Sequence, residues 1–342
     1  MKNQVLGVCG GNGVILRAMK SRLVANVEPR RLFHTKNHEQ WKVNFGEIPY
    51  YKTIQEAADT IPIGDVQVIV GAPDCGHSSV LSYSRAKSFS DPRKNHSLNT
   101  YIEAVNYYQP FVWMMENLPA LLKQIKPDEL EGMMPGYHMA ALEMSVSAWG
   151  NSQVTRNRLV LIGIKDGENW ETLMKHFTNV YPVAELKTCE QLERIADDIQ
   201  GDVREPDDTM VPMEYNHVKL NLGQIRDVWN NEFAGKSRWE MPGTKMKNLP
   251  GVYKNEPDKY PKTARKETRQ FDTDGNVLTP RDLAVIQGIP NSFEIYIPET
   301  DDVKVLKYWL NKARVTVTKT PPYEIGKWFS RQLRKFERNK LS

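Results

Sequence analysis

The residues whose types and positions suggest chemistry are one cysteine, one carboxylate and a pair of arginines. Cys75 stands just past the β-branched run Val66, Val68, Ile69 and Val70, which Gly71 and Pro73 bring to a stop. Reactive groups of open parallel sheets gather beyond the carboxyl ends of the strands. A thiol at such a place, close to a helix start, is expected to have its pKa lowered towards neutrality and so to serve as a nucleophile. Glu116 ends a second apolar strand, Phe111 to Met115, and leads into Asn117-Leu118-Pro119. Arg156 and Arg158 lie between two further strand-like runs, Tyr137 to Trp149 and Leu159 to Ile164. In an extended chain, residues two apart point to one side, an arrangement that suits phosphate or carbonyl recognition. Read singly, Cys75 is also compatible with a small buried core residue, and the arginines with surface charges.

The elements between them must bring these groups together. Leu98, Tyr101, Ile102, Val105 and Tyr108 trace one apolar helical face, and Pro110 ends that helix. Strand, helix and strand in this order form a right-handed parallel unit, so the Cys75 and Glu116 strands are expected to be neighbours. Nearer the amino end, Gln4 to Val8 reads as a strand and is followed by Cys9-Gly10-Gly11-Asn12-Gly13, then by the helical composition of Val14 to Met19. Glycines in such a turn let backbone N–H groups approach a nucleotide-type cofactor. Val24 to Val27 forms a second strand ending at Glu28, an acid placed either to bind two ribose hydroxyls or simply to face solvent.

The rest of the chain sets limits. It has 342 residues, 40% of them hydrophobic, enough for two unequal domains with buried cores. A net charge of +4 permits a nucleic-acid partner without requiring one. Cys9, Cys75 and Cys189 are odd in number and widely spaced, which argues against a disulfide framework and points to a reducing compartment, the cytoplasm. No secretory signal or membrane-length apolar run is seen, and no metal is expected. Thr188 and Gln191 form a capping box for a helix that uses Leu192, Ile195 and Ile199. From Gly201 the composition turns polar and proline-rich. Aromatics alternate there with lysines and arginines, ending in the basic stretch Lys259 to Arg269, which suits loops along a nucleic-acid backbone or a solvated insertion. Thr279 and Pro280 open a helix that ends near Gly288. Ile325, Phe329, Leu333 and Phe336 line a last helix that should pack on the first domain and join the two chain ends.

Taken together, these stretches resemble the DNA (cytosine-5)-methyltransferase family. Gly71-Ala72-Pro73-Asp74-Cys75 is similar to the nucleophile loop, and Glu116-Asn117-Leu118 to the Glu-Asn-Val element. Arg156-Asn157-Arg158 is similar to the Arg-x-Arg element. Leu278-Thr279-Pro280-Arg281-Asp282, with Gln287-Gly288-Ile289-Pro290, resembles the late Leu-Thr-Pro-Arg block, and Asp91-Pro92-Arg93 fits the segment after the nucleophile. The departures concern mainly the cofactor side. Asp74 and Gly76 flank the cysteine where proline and glutamine are usual, as in some phage-like members. Val8 and Cys9 stand where a phenylalanine is common, Asn12 replaces a glycine, and no acid occurs from Lys52 to Ile54. Gln153 lies one residue from the family's glutamine, and Val317-Thr318 replaces a Gly-Asn pair.

The resemblance implies an α/β fold: a doubly wound, Rossmann-like methyltransferase domain (residues 1–166), a smaller target-recognition domain (167–311) and a returning segment (312–342). It implies methyl transfer from S-adenosylmethionine to carbon 5 of a cytosine flipped out of double-stranded DNA. Cys75 would add to carbon 6, and Glu116, with a pKa raised by burial, would protonate N3. Arg158 would hold the cytosine carbonyl, and Arg156 would position the loop or backbone. Gly10, Gly11, Asn12, Gly13, Glu28, Pro73 and Leu98 would hold the cofactor. His77, Arg85, Lys87, Arg265, Lys266 and Arg269 would contact DNA, with the protein acting as a monomer. A one-carbon donor other than S-adenosylmethionine, an RNA substrate, or a DNA-binding homologue without turnover are the alternatives.

Overall fold

The computed structural model describes residues 3–29, 38–75, 94–167, 169–180, 186–200, 214–215, 218–219, 252–254, 256–261, 269–271, 278, 280–298 and 302–341. The chain divides into two compact units. The first comprises Met1–Trp149, Asn157–Pro182 and Pro321–Ser342, and the second Gly150–Arg156 and Val183–Thr320.

The first unit is built on a seven-stranded sheet. Its strands are β1 (Val5–Val8), β2 (Leu23–Val27), β3 (Tyr50–Tyr51), β4 (Val68–Gly71), β5 (Val112–Asn117), β6 (Tyr137–Ser145) and β7 (Asn157–Lys165), in the order β3-β2-β1-β4-β5-β7-β6. The first five are parallel, and β7 runs antiparallel to both β5 and β6. This is the doubly wound α/β arrangement that the sequence predicts, with the β4 and β5 strands adjacent. Every residue of β1, β4 and β5 is buried, as befits apolar runs covered on both faces.

Alternation decides which side chain goes to which face. Leu6, Val8, Ile69, Trp113 and Met115 join one apolar cluster with Ile54, Ala57, Leu98, Tyr101, Val105 and Leu130. The helices in order are α1 (His38–Phe45), α2 (Ile54–Ala58), α3 (His96–Tyr108) and α4 (Pro127–Gly132). Thr53 caps α2 by accepting the Glu56 N–H, and Asn95 caps α3 by accepting from Ser97 and Leu98. The helix expected after the glycine turn is a 3₁₀ helix, Val14–Arg22. The strand predicted over Tyr137 to Trp149 stops at Ser145, because Val146–Trp149 winds into a 3₁₀ turn that buries Val146 and Trp149.

α5 (Trp170–Thr178) and the final helix α9 (Tyr323–Leu341) complete this unit. Ile325, Phe329 and Leu333 are fully buried, worth roughly 2 kcal/mol each as an upper estimate. α9 packs along the 3₁₀ helix so closely that a Cβ on Gly326 would lie 2.0 Å from the Ile15 carbonyl oxygen. Arg22 and Glu337 form an ion pair, and the Asn3 N–H donates to the same carboxylate at 2.8 Å. The two ends of the chain therefore meet, as the apolar periodicity of the last segment predicts.

The second unit contains α6 (Cys189–Gln200), α7 (Pro280–Ile286) and α8 (Val303–Thr318), with α7 packed against both of the others. The capping box at α6 forms in both directions: the Thr188 N–H donates to Gln191 Oε1 at 2.8 Å, and the Gln191 N–H to Thr188 Oγ1 at 3.5 Å. The cap expected from Thr279 lies outside the described residues. A buried polar network holds the segment Gly150–Arg156 within this unit. Gln153 Nε2 donates to Gln287 Oε1 at 3.1 Å and to the Ile286 carbonyl at 3.2 Å.

Candidate active site

Cys75 sits four residues beyond the last residue of β4, at the carboxyl end of the parallel strands. Two asparagines of neighbouring elements fix the connecting loop. Asn117, at the end of β5, donates from Nδ2 to the Pro73 carbonyl at 3.2 Å, which carries the β4–β5 contact past the last paired residues by a side chain. Asn95, which also caps α3, donates from Nδ2 to the Asp74 carbonyl at 2.6 Å. The functional reading of the sequence gives neither asparagine a role, although Asn117 belongs to the Glu-Asn-Leu element it singles out.

Glu116 is the penultimate residue of β5 and is buried. Its Oε1 accepts from Arg158 Nε at 2.9 Å, an ion pair whose side chains are 8% and 17% exposed. Register explains the meeting. Glu116 pairs with Val160 across the antiparallel β5–β7 ladder, and Arg158 lies two residues further along on the same face. Cys75, Glu116 and Arg158 act on one another electrostatically. Burial pushes the Cys75 thiol up to about 11, Glu116 and Asp74 push the same way, and Arg158 opposes them. The expectation of a thiol lowered towards neutrality is therefore corrected. The half-buried sulfur has two carboxylates against one guanidinium, and the helix start expected to lower it lies outside the described residues.

The two arginines do not share a side. Arg156 precedes β7 in a turn closed by its own N–H on the Gln153 carbonyl at 2.9 Å, so the segment is not extended there. Its guanidinium, 2% exposed, donates to the Thr320 carbonyl at 2.6 Å within the second unit, whereas Arg158 belongs to the first.

Of the cofactor residues predicted from the sequence, Gly10, Gly11, Asn12, Gly13 and Glu28 follow β1 and β2, whereas Pro73 follows β4 and Leu98 lies in α3. Cys9 leaves β1 with φ of 57°, a left-handed conformation unusual for a residue with a side chain, and its N–H bonds the Val27 carbonyl at 2.7 Å. The Cys9 thiol donates to the Ser97 carbonyl at 3.3 Å, tying the loop to the first turn of α3 beside the buried Leu98. Gly13, with φ of 88°, has Phe45 and Trp41 so close that any Cβ would collide with their rings. Asn12 is buried and its Oδ1 accepts the Val14 N–H at 3.4 Å. Glu28, fully buried, accepts the Gly11 N–H at 3.0 Å.

Asn26, to which the sequence reading assigns nothing, lies under the same loop. Its Oδ1 accepts the Gly10 N–H at 3.2 Å, while its Nδ2 has no hydrogen-bond partner among the described residues. An amide nitrogen buried beside a glycine turn, as Asn26 Nδ2 is, needs hydrogen-bonding company that apolar packing does not supply. The hydroxyls of a nucleoside provide it, so Gly10, Gly11, Asn26 and Glu28 fit the nucleoside part of S-adenosylmethionine.

His77, Arg85, Lys87, Arg265 and Lys266 lie outside the described residues, as does Asp91-Pro92-Arg93. Arg269 opens a three-residue strand, Arg269–Phe271, paired in parallel with Val252–Lys254. Among the described residues no helix is long and apolar enough to cross a membrane.

The chain was compared with known proteins. No curated protein sequence matches it. Three solved structures share its fold. One is a candidate DNA modification methyltransferase encoded within an E. coli prophage, with a TM-score of 0.64 at 14% identity over 98% of this chain and 100% of that one. A DNMT2 variant from Spodoptera frugiperda gives 0.62 at 12% identity, over 97% and 99%. The Entamoeba histolytica methyltransferase EhMeth gives 0.60 at 12%, over 98% and 99%. At such identities the likeness is one of fold. The sequence profile of C-5 cytosine-specific DNA methylases matches residues 9–307, a span that takes in the glycine turn, Cys75, Glu116, Arg158 and the Leu-Thr-Pro-Arg block. The chain belongs to the C-5 cytosine-specific DNA methylase family, methyltransferases whose methyl donor is S-adenosylmethionine.

Proposed function

We propose that the chain methylates carbon 5 of a cytosine flipped out of double-stranded DNA, through a covalent adduct with Cys75. The observation that carries this reading is the Glu116–Arg158 ion pair at 2.9 Å, on strands β5 and β7, acting electrostatically on the Cys75 thiol. In the proposal, the Cys75 sulfur bonds to carbon 6. The C5–C6 π pair moves to C4–C5 and displaces the C4–N3 π pair onto N3, which takes a proton from Glu116. S-adenosylmethionine supplies the electrophilic methyl group that carbon 5 takes up. N3 returns its proton to Glu116, and loss of the carbon 5 proton to water expels Cys75 as a thiolate. Arg158 holds the cytosine carbonyl and orients Glu116.

The raised thiol pKa accords with this scheme. An ionised Glu116 disfavours a thiolate beside it, whereas a protonated Glu116 does not. In the proposal, the pair becomes nucleophile plus acid when one proton passes from the Cys75 sulfur to the Glu116 carboxyl.

Glu28 and the Gly10–Gly13 turn would hold the nucleoside of the donor, with Pro73 and Leu98 beside it. In the same reading the second unit recognises the target. His77, Arg85, Lys87, Arg265, Lys266 and Arg269 contact DNA, and contacts to the phosphates offset the few kcal/mol that base flipping costs.

A duplex carrying 5-fluorocytosine tests the proposal, since fluorine at carbon 5 blocks the final elimination. Wild type should become covalently joined to the duplex in the presence of S-adenosylmethionine, and Cys75→Ser should not. An RNA of the same sequence, run in parallel, distinguishes the polymers. A wild type that traps only RNA refutes the DNA substrate, and a Cys75→Ser protein that still traps refutes the nucleophile.

A further inference from the structure

Helix α9 carries its cations on one side. Ile325, Phe329 and Leu333 are buried, and Ser330 Oγ donates to the Ala18 carbonyl at 2.9 Å where α9 packs on the 3₁₀ helix. Lys327, Arg331, Arg334 and Arg338 are exposed on the side away from that apolar stripe. Their three-and-four spacing puts them in a single helical row. Eleven residues separate the first from the last, so the row is about 16 Å long.

The protein itself does not neutralise this row. Arg334 Nη1 donates to Ser330 Oγ at 3.1 Å, within the helix. Lys327, Arg331 and Arg338 form no hydrogen bond or ion pair among the described residues. The helix has two carboxylates. Glu337 is taken by Arg22 and the Asn3 N–H, and Glu324 pairs with none of the four cations. A cation in the last turn answers the helix dipole, which accounts for Arg338 but not for Lys327 and Arg331 further back. Arg17 of the 3₁₀ helix adds to the positive field. Burial, with Glu324, pushes the Tyr323 hydroxyl up, and Arg17, Arg331 and Arg334 all act on it in the opposite direction.

Exposed charges of one sign, without counter-charges of their own, attract a polyanion. The length of the row suits a polymer rather than a single small anion, because a DNA strand presents one phosphate about every 3.4 Å along the axis. We propose that Lys327, Arg331, Arg334 and Arg338 form a second, sequence-independent contact for the phosphates of duplex DNA. None of the four is among the residues to which the sequence assigns DNA contacts. The inference rests on DNA being the substrate, and is independent of the chemistry at cytosine.

Fluorescence anisotropy with the full chain and a labelled duplex of oligo(dA) and oligo(dT) tests it, because that duplex offers the cytosine site no substrate. Each phosphate contact contributes about 0.9 to the slope of log Kd against log salt. A variant combining Lys327→Gln, Arg331→Gln and Arg338→Gln should lower that slope by about 2–3 and weaken binding at least about tenfold at low salt. Lys327→Arg, Arg331→Lys and Arg338→Lys together keep the charge and should stay within about twofold of wild type. The proposal is overturned if the glutamine variant keeps the wild-type slope, or if both variants lose it equally. It also falls if the glutamine variant loses binding only to vesicles of phosphatidylcholine and phosphatidylserine, assayed in parallel. If wild type methylates cytosine in DNA and the glutamine variant keeps the slope, the α9 contact falls and the catalytic reading stands. If the slope drops as expected but wild type transfers no methyl group, the reverse holds.

Discussion

Replacing Glu116 with glutamine should make the Cys75 thiol more acidic, even though it removes the proposed proton donor. Burial first, then Glu116 and Asp74, lift this thiol from its ordinary 9.0 to about 11 against the pull of Arg158. Two pH units make the thiolate about 100-fold scarcer at pH 8 than in an unperturbed cysteine. Thiolate reactivity rises with basicity, with a slope of about 0.4–0.5, so each remaining thiolate is roughly tenfold more reactive. Wild-type Cys75 should therefore be alkylated about tenfold more slowly than a free cysteine. Glutamine keeps the size of the side chain but removes its charge and leaves Arg158 facing a neutral amide. Both changes lower the thiol pKa, and each unit of fall should speed alkylation about threefold at pH 8. The assay is iodoacetamide labelling from pH 7 to 10, read by mass spectrometry on the Cys75 peptide. Cys189, pushed up to about 12 chiefly by burial, serves as the slow internal control. A wild-type profile that bends at or below pH 9, or a Glu116→Gln profile identical to wild type, would refute the electrostatic account. The same shift carries a sign for stability. The unfolded chain releases this proton near 9 and the folded chain near 11, so the fold should weaken as pH rises between those values.

Three further outcomes follow from the geometry. Glu28→Ala removes the acceptor of the Gly11 N–H and should weaken S-adenosylmethionine binding by at least about tenfold in calorimetric titration; an unchanged affinity would remove Glu28 from the donor site. Gly163→Ala would place a Cβ 1.9 Å from Trp113 Cε2 on the neighbouring strand and should cost about 1–3 kcal/mol in urea unfolding. An undiminished midpoint would contradict the β5–β7 register. Burial raises the Glu337 carboxyl, but hydrogen bonds from Arg22 and the Asn3 N–H outweigh it and hold the group below its ordinary 4.5. Its contribution is present above 4.5 and lost as pH falls through the lower folded value, so Glu337→Gln should depress Tm at pH 7 and depress it progressively less as the pH is lowered below 4.5.

Local pattern was sufficient for much of this protein. Short apolar runs cut by glycine and proline mark β1, β2, β4 and β5, and the capping box at Thr188 and Gln191 forms as its spacing requires. The neighbouring of β4 and β5 follows from the handedness of a strand-helix-strand unit, which any chain of L-residues obeys. These features depend on backbone sterics and on contacts a few residues apart, and a sequence carries that information openly.

Packing decided the rest. Arg156 and Arg158, two residues apart, part company because a turn ends at Arg156 and the strand begins at Asn157, so one guanidinium serves the second unit and the other serves Glu116. Asn26, Asn95 and Asn117 look like any other asparagines until folding sets a distant glycine or loop carbonyl opposite their amides. The acidity of Cys75 depends on how much water its surroundings exclude and on a carboxylate 41 positions away, as their residue numbers show. Residue identity along the chain determined which groups are present and on which strand each would ride. Only the three-dimensional fold set their burial and mutual distance, and with them the charge each group carries, because solvation and Coulomb energies are properties of space rather than of order along a chain.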